Sequence, residues 1–362
     1  MPSKIYLILR SVAGRRPGRA SRRTQGAIAA LLLGLAAPAL AETPRGVPAP
    51  PGGGFGLPVD CPMGSLCTVQ NYIDHDPGPG WRDHTCGPLS YDGHRGIDIR
   101  VPSEIEMRRG VAVIAAADGE VLIAKDGQPD LLMQDTGPGK TREERNGNWV
   151  AIRHGDGWVT TYAHMMKGSL AVREGQQVMR GEKLGLIGLS GNSDFPHVHF
   201  AVTYRNLLLD PFTGQEPSTA CGEAAGSLWS PAVQAELAYR AGGLLSAGFL
   251  SRIPEKREIL AGIVDPAGIA AADRVLVFFV GAWGLREGDL LTLLILKPDG
   301  TTFFRKESGF EKNQAIWTTH FGVRQNDGDL LPGEYVGFYR VRRMQGEWPA
   351  TVLAVRKTVT VR

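Results

Sequence analysis

The sequence predicts a mainly β protein, an antiparallel β-sheet domain followed by an immunoglobulin-like β-sandwich. Short alternating apolar stretches, punctuated by glycine, recur from Val111 to Arg205. Helical periodicity is scarce over the same span. A second series of strand-like stretches at regular spacing fills roughly the last 100 residues, as in a sandwich.

Length allows for this. At 362 residues the chain suits about two folded domains of roughly 100–200 residues each. An apolar content of 43% with 21% charged residues is ordinary for a globular protein and excludes a collagen, a disordered tail or a multi-span membrane protein. The net charge is only +3. Much of the basic excess stands before residue 24, where Lys4, Arg10, Arg15, Arg16, Arg19, Arg22 and Arg23 occur with no acidic residue. The rest is nearly balanced, so the folded part carries no nucleic-acid footprint.

The elements follow in order. The basic arm leads into the apolar run Ala27–Ala41, which ends in Ala39-Leu40-Ala41. A basic region, a short apolar region and a small-x-small end together read as a secretory signal peptide, residues 1–41. The run is shorter than the roughly 20 residues a membrane span needs. Residues 42–58, rich in Pro and Gly, read as a flexible lead-in with nothing to bury. Residues 59–225 read as the β-rich domain. VAVIAAADGEVLIAK (111–125) suggests two strands around Asp118-Gly119. NWVAIRH (148–154) and WVTTYAHM (158–165) suggest a hairpin across Gly155-Asp156-Gly157. Residues 172–193 suggest short strands with tight turns, and PHVHFAVTYR (196–205) another alternating strand. The irregular stretch Lys125–Asn148 has the length of a functional loop. Residues 226–261 read as a helical linker on the pattern SPAVQAELAYRAGG, and 262–362 as the sandwich.

Cys61, Cys67, Cys86 and Cys221 are an even number without CxxC spacing, which in an exported chain means two disulfides. Cys61–Cys67 and Cys86–Cys221 are the expected pairs, the second tying the two ends of one domain.

Three histidine settings carry chemistry. In His94-Arg95-Gly96-Ile97-Asp98 an imidazole and a carboxylate can reach one ion, and Gly96 lets the backbone bend between them. In His197-Val198-His199, residues two apart in a strand face the same side. Tyr162-Ala163-His164 ends a third strand. Two histidines and one carboxylate are a usual catalytic zinc set that keeps a fourth position for water. A metal hydrolase also needs groups beside the ion to handle protons and steady an oxyanion, and the surplus histidines His164 and His197 suit that work. His75, His84 and His154 read as structural loop or surface residues, and His320 as unrelated.

In this order, HRGID, YAHM, VREGQQVMRGEKLGLIG, SGNS and PHVHF resemble the lysostaphin/LytM-like metallopeptidases, which cleave peptide bridges of peptidoglycan. The resemblance covers roughly residues 90–205. It implies a duplicated-hybrid-motif β fold with an open groove, a Zn2+ held by His94, Asp98 and His199, and His164 and His197 as the pair beside the metal-bound water. It implies peptidoglycan as substrate and an exported location, periplasmic or extracellular. Some members have lost metal ligands and act only as activators of other wall hydrolases; here all five positions are filled. The chain departs from the family at Ala201, where Glu is frequent, and at Asp194-Phe195, where small residues are frequent. Residues 71–92, dense in Asp, Gly and Pro, read as a fixed structural loop near the groove. The C-terminal sandwich is expected to position the enzyme or to contact a protein partner.

Overall fold

A computed structural model describes residues 47–217, 221–222, 226–263, 268–325 and 328–362. The expected signal peptide, residues 1–41, lies outside the described residues. No described helix is long and apolar enough to cross a membrane.

The first part contains strands β1 (Val59–Asp60), β2 (Thr68–Asn71), β3 (Ile97–Arg100), β4 (Ala112–Ile114), β5 (Gly119–Lys125) and β6 (Asn148–Arg153). It continues with β7 (Trp158–Met165), β8 (Gln177–Val178), β9 (Lys183–Leu186), β10 (His197–Tyr204) and β11 (Leu207–Leu209). The large sheet runs β2-β3-β10-β7-β6-β5-β8, with β11 on β10, and β1-β4-β9 form a second, small sheet. All pairings are antiparallel.

Period-2 alternation explains why this sheet carries a site. Ile97 and Ile99 of β3, Val198, Phe200 and Val202 of β10, and Tyr162 of β7 are buried in one apolar core. The residues between them, Asp98, Arg100, His197 and His199, point to the other face. Register then fixes their neighbours: His199 lies opposite Asp98, His197 opposite Arg100, and Asn71 of β2 opposite Asp98.

Two expectations need correction. Residues 42–58 were expected to bury nothing, yet Phe55 is fully buried, bonds through its N–H to the Leu228 carbonyl (2.8 Å) and sets its ring edge-on to Trp158. One aromatic side chain outweighs the Pro/Gly composition around it, since its burial is worth about 1.5–3 kcal/mol. The segment 226–261, expected as a helical linker, holds helices α4 (Pro231–Glu236) and α5 (Lys256–Ala261), but between them lies strand β12 (Gly243–Leu250). Its residues lack polar alternation because both faces meet protein. It pairs with β13 (Val275–Leu285) through a bulge near Leu245.

Lys125–Asn148 is also less irregular than its sequence suggests. After α1 (Glu104–Arg109), helices α2 (Met133–Thr136) and α3 (Arg142–Asn146) fall within it. Thr141 and Glu144 form a capping box at the start of α3. Asp126 and Asp130 pin the stretch by accepting from the backbone N–H of Gly168 and Lys167 (2.8 and 2.9 Å).

Beyond residue 242 there are two antiparallel sheets. One is β12-β13-β16, the last being Gln314–Arg324, and the other is β15-β14-β17-β18, with β14 Leu290–Leu296, β15 Thr302–Gly309, β17 Gly333–Gln345 and β18 Trp348–Val361. They share a core of residues such as Phe278, Leu293, Tyr335 and Tyr339. Trp283 and Leu245 instead join the core of the first part, with Leu260 and Ile316 packed against it. The two expected disulfides, Cys61–Cys67 and Cys86–Cys221, are both formed.

Candidate metal centre and groove

His94 sits in the loop before β3 and is almost fully buried. Its Nδ1 lies 2.7 Å from the Tyr72 carbonyl oxygen. A carbonyl can only accept, so Nδ1 carries the proton and Nε2 keeps a lone pair. That lone pair faces Asp98 Oδ1 at 3.1 Å and His199 Nδ1 at 3.2 Å, while His199 Nδ1 lies 3.0 Å from the same oxygen. Electron-rich atoms so close repel unless a cation stands among them. A tetrahedral ion with bonds of about 2.0–2.2 Å sets its ligand atoms roughly 3.3–3.6 Å apart, so the trio has nearly the right size. Among the described residues His94, Asp98 and His199 are the group able to hold a metal ion.

The surroundings hold this set in place. Asn71 Nδ2 donates to Asp98 Oδ2 at 3.0 Å, leaving Oδ1 for the centre. The Tyr91 ring stacks on His94 with centroids 4.2 Å apart. Gly96 matters for space more than for bending: a Cβ there would stand 2.4 Å from His199 Nε2. Burial opposes the Asp98 charge, but the neighbouring His94 and then His197 outweigh it and hold the carboxyl well below the usual range. Burial also lowers His199, keeping it neutral as a ligand must be.

His164 and His197 stand beside this set. His197 Nδ1 donates to the Phe195 carbonyl (2.7 Å), and its Nε2 lies 3.4 Å from Asp98 Oδ1. His164 Nδ1 donates to the Ser190 carbonyl (2.8 Å). Its ring centroid is 4.7 Å from that of His197 and 5.9 Å from that of His199. Regular alternation would not put it there. Ala163 is the partner of His199 and Tyr162 that of Phe200, so a regular strand would send His164 into the core with Tyr162. Between Tyr162 and Met165, β7 carries one residue more than β6 opposite it, and His164 takes a left-handed φ of 62°. The bulge turns the imidazole onto the metal face. Burial, then His197 and His199, hold His164 well below its ordinary value, so both bulge and burial favour a neutral base.

The five residues line one groove of about 540 Å³. Met133, Arg145 and Asn146 of the 125–148 stretch form part of its wall, as do Ala315 and Ile316 of β16. Asp194 and Phe195, the departures seen in the sequence, line it too. From residues 71–92, Asn71, Ser90 and Tyr91 line it, and Tyr72 supplies the carbonyl that holds His94. The sequence offered no signal for Asn71, whose role depends on register across β2 and β3. His75, expected at a loop or surface, is fully buried and bonds Asp210 at 2.7 Å. His84 stacks on Phe212, and neither belongs to the groove.

A family model described as Peptidase family M23 matches residues 92–211. The cell division protein DipM of Caulobacter vibrioides is 32% identical over 123 residues, 34% of this chain and 16% of DipM. The peptidoglycan DD-endopeptidase ShyB of Vibrio cholerae is 29% identical over 124 residues, 34% of this chain and 24% of ShyB. The murein hydrolase activator NlpD of Escherichia coli is 30% identical over 137 residues, 36% of this chain and 30% of NlpD. The matched segment thus spans between about a sixth and a third of these relatives. A solved zinc containing peptidase from Vibrio cholerae is 24% identical, with a TM-score of 0.30 over 46% of this chain and 40% of that one. The match over residues 92–211, together with the histidine and aspartate motifs inside it, makes this part of the chain an M23 peptidase domain of the lysostaphin/LytM kind.

Proposed function

We propose that the chain is an exported zinc metalloendopeptidase that hydrolyses peptide bonds of peptidoglycan stem peptides or cross-links. The observation that carries this reading is the convergence of five side chains. His94 Nε2, Asp98 Oδ1 and His199 Nδ1 lie within 3.0–3.2 Å of one another, with His164 and His197 at their side. Residues 59–225 would be the peptidase domain and 262–362 a sandwich that positions it or meets a partner. The leader-like start, the two disulfides and the envelope relatives support a periplasmic or extracellular place.

In the mechanism, His94, Asp98 and His199 would hold Zn2+, which when bound acidifies water and polarises a carbonyl. Asp98 supplies the one negative charge of the set, and Asn71 fixes which of its oxygens faces inward. The Nδ1–H of His164 is spent on Ser190 and that of His197 on Phe195. Each therefore offers Nε2 toward the groove, one to accept a proton from the attacking water and the other, protonated, to steady the oxyanion.

The test is digestion of purified peptidoglycan by the zinc-loaded mature chain, with and without a chelator. Release of muropeptides that the chelator stops and zinc restores is expected. Intact peptidoglycan in every form offered would overturn the reading. A second reading, an activator of other wall hydrolases, draws support from the NlpD similarity. His164→Ala separates the two, because activation would survive that substitution and hydrolysis would not.

A further inference from the structure

Arg100 has no part in the chemistry above, yet it is 1% exposed and lies opposite His197 in the sheet. It forms no ion pair with any described residue. Its Nε and two terminal nitrogens donate to the carbonyls of Val101 and Pro102 and to the Gln70 side chain. Three of five N–H groups are thus satisfied, all by neutral acceptors. A guanidinium remains a cation at neutral pH. A buried charge without a counter-charge is costly and calls for an anion.

The surroundings show where an anion would sit. Arg100 lines a cavity of about 490 Å³ that shares Asp194, Phe195 and Ile316 with the groove. The guanidinium lies over the Phe195 ring at 4.6 Å, and that ring in turn lies 4.6 Å from His197. Lys256 and Arg257 of α5 line the same cavity. Arg257 is engaged by Asp135 (3.3 Å), and Glu104, also in the wall, by Arg108 (2.7 Å). Arg100 and Lys256 remain without an acidic partner, and Asp194 stands at the seam with the groove. Arg100 follows Asp98 by two positions, roughly 7 Å along a strand, the reach of about two residues of an extended peptide lying in the groove.

We propose that Arg100 and Lys256 form a carboxylate-binding subsite that extends the groove, so that the preferred peptide carries a free carboxylate within about two residues of the scissile bond. The subsite rests on the peptide-hydrolysing reading for its occupant but not for its test. It also gives the C-terminal part a role in substrate choice, since Lys256 and Ile316 come from it.

The experiment measures binding without cleavage. Full-length mature chain carrying His164→Ala, loaded with zinc, is titrated calorimetrically with capped pentapeptides. Each carries one Glu, moved through every position, and is compared with its Gln counterpart. At one position the Glu peptide is expected to bind about tenfold tighter, the usual size of a charged hydrogen bond. The preference should vanish in Arg100→Gln and fall below about threefold in Lys256→Gln. Lys256 is exposed, so its variant reads the subsite even if Arg100→Gln fails to fold. Equal binding of every Glu and Gln pair, or a preference that survives Lys256→Gln in full, overturns the proposal. So does displacement of the Glu peptide by inorganic phosphate at equal concentration, which would make this a phosphate site. Cleavage of peptidoglycan with no carboxylate preference in binding refutes the subsite alone. Binding with preference but no cleavage by the unsubstituted chain refutes the proposed reaction alone.

Discussion

The two halves of this chain spend their buried polarity differently. Of the nineteen buried polar residues among those described, eighteen lie between Gln70 and Thr213 and one, Asp289, lies beyond. The C-terminal sheets bury aliphatic and aromatic side chains and one carboxylate matched by a half-buried arginine. Arg343 clasps Asp289 through Nε at 2.8 Å and Nη2 at 2.7 Å. The first half also buries one matched pair, His75 with Asp210, but along the groove it buries histidines, a carboxylate and an arginine whose partners are unmatched or shared. Such groups lower stability unless something else needs them, and those along the groove crowd one face of one sheet.

The comparison can be broken. His164→Ala should lower peptide hydrolysis by about 10²–10⁴-fold, as removal of a positioned acid or base does. Zinc content by mass spectrometry should stay unchanged, and a variant that lost the metal too would put His164 among the ligands. In the other half, Asp289→Ala should leave zinc content unaltered while costing about 1–3 kcal/mol in chemical denaturation, because the half-buried Arg343 loses its acid and keeps only the Ala241 and Gly284 carbonyls. A drop in metal affinity there would couple the halves more tightly than their contacts imply.

Smaller effects sharpen it. Asn71→Leu should weaken metal binding by about 10–100-fold, since Asp98 loses the donor that orients it; competition with a zinc-sensitive dye measures this. The smallest effect concerns pH. Burial lowers both His84 and His154, the latter against hydrogen bonding to Asp118, which raises it. Below about pH 6.5 the unfolded chain takes up protons at these sites that the folded chain refuses, so stability is lost as pH falls. The melting temperature should drop between pH 7.5 and 5.5, and His84→Phe should flatten that slope.

What was legible in the sequence was local. The alternation in Trp158–Met165 set the limits of β7, His197-Val198-His199 announced two imidazoles on one face, and the cysteine spacing suggested both disulfides. What was hidden depended on pairing between distant strands. Asn71 and Arg100 matter through what stands opposite them. β12 was hidden because Gly243–Leu250 lacks an alternating pattern and takes its shape from β13. The orientation of His164 was the least legible of all. By alternation alone that side chain belongs in the core, and only an extra residue in β7, absorbed at a non-glycine left-handed position, brings it out.

The Cys86–Cys221 bond makes a closed covalent ring of the chain between those residues. His94, Asp98, His164, His197 and His199 all lie on that ring. A protease that nicks any loop along it, the long stretch before β6 included, opens the ring without releasing a fragment. A chain cut there would still carry every ligand on one molecule and would migrate as a single species until reduced. That is a form of durability which melting temperature does not measure.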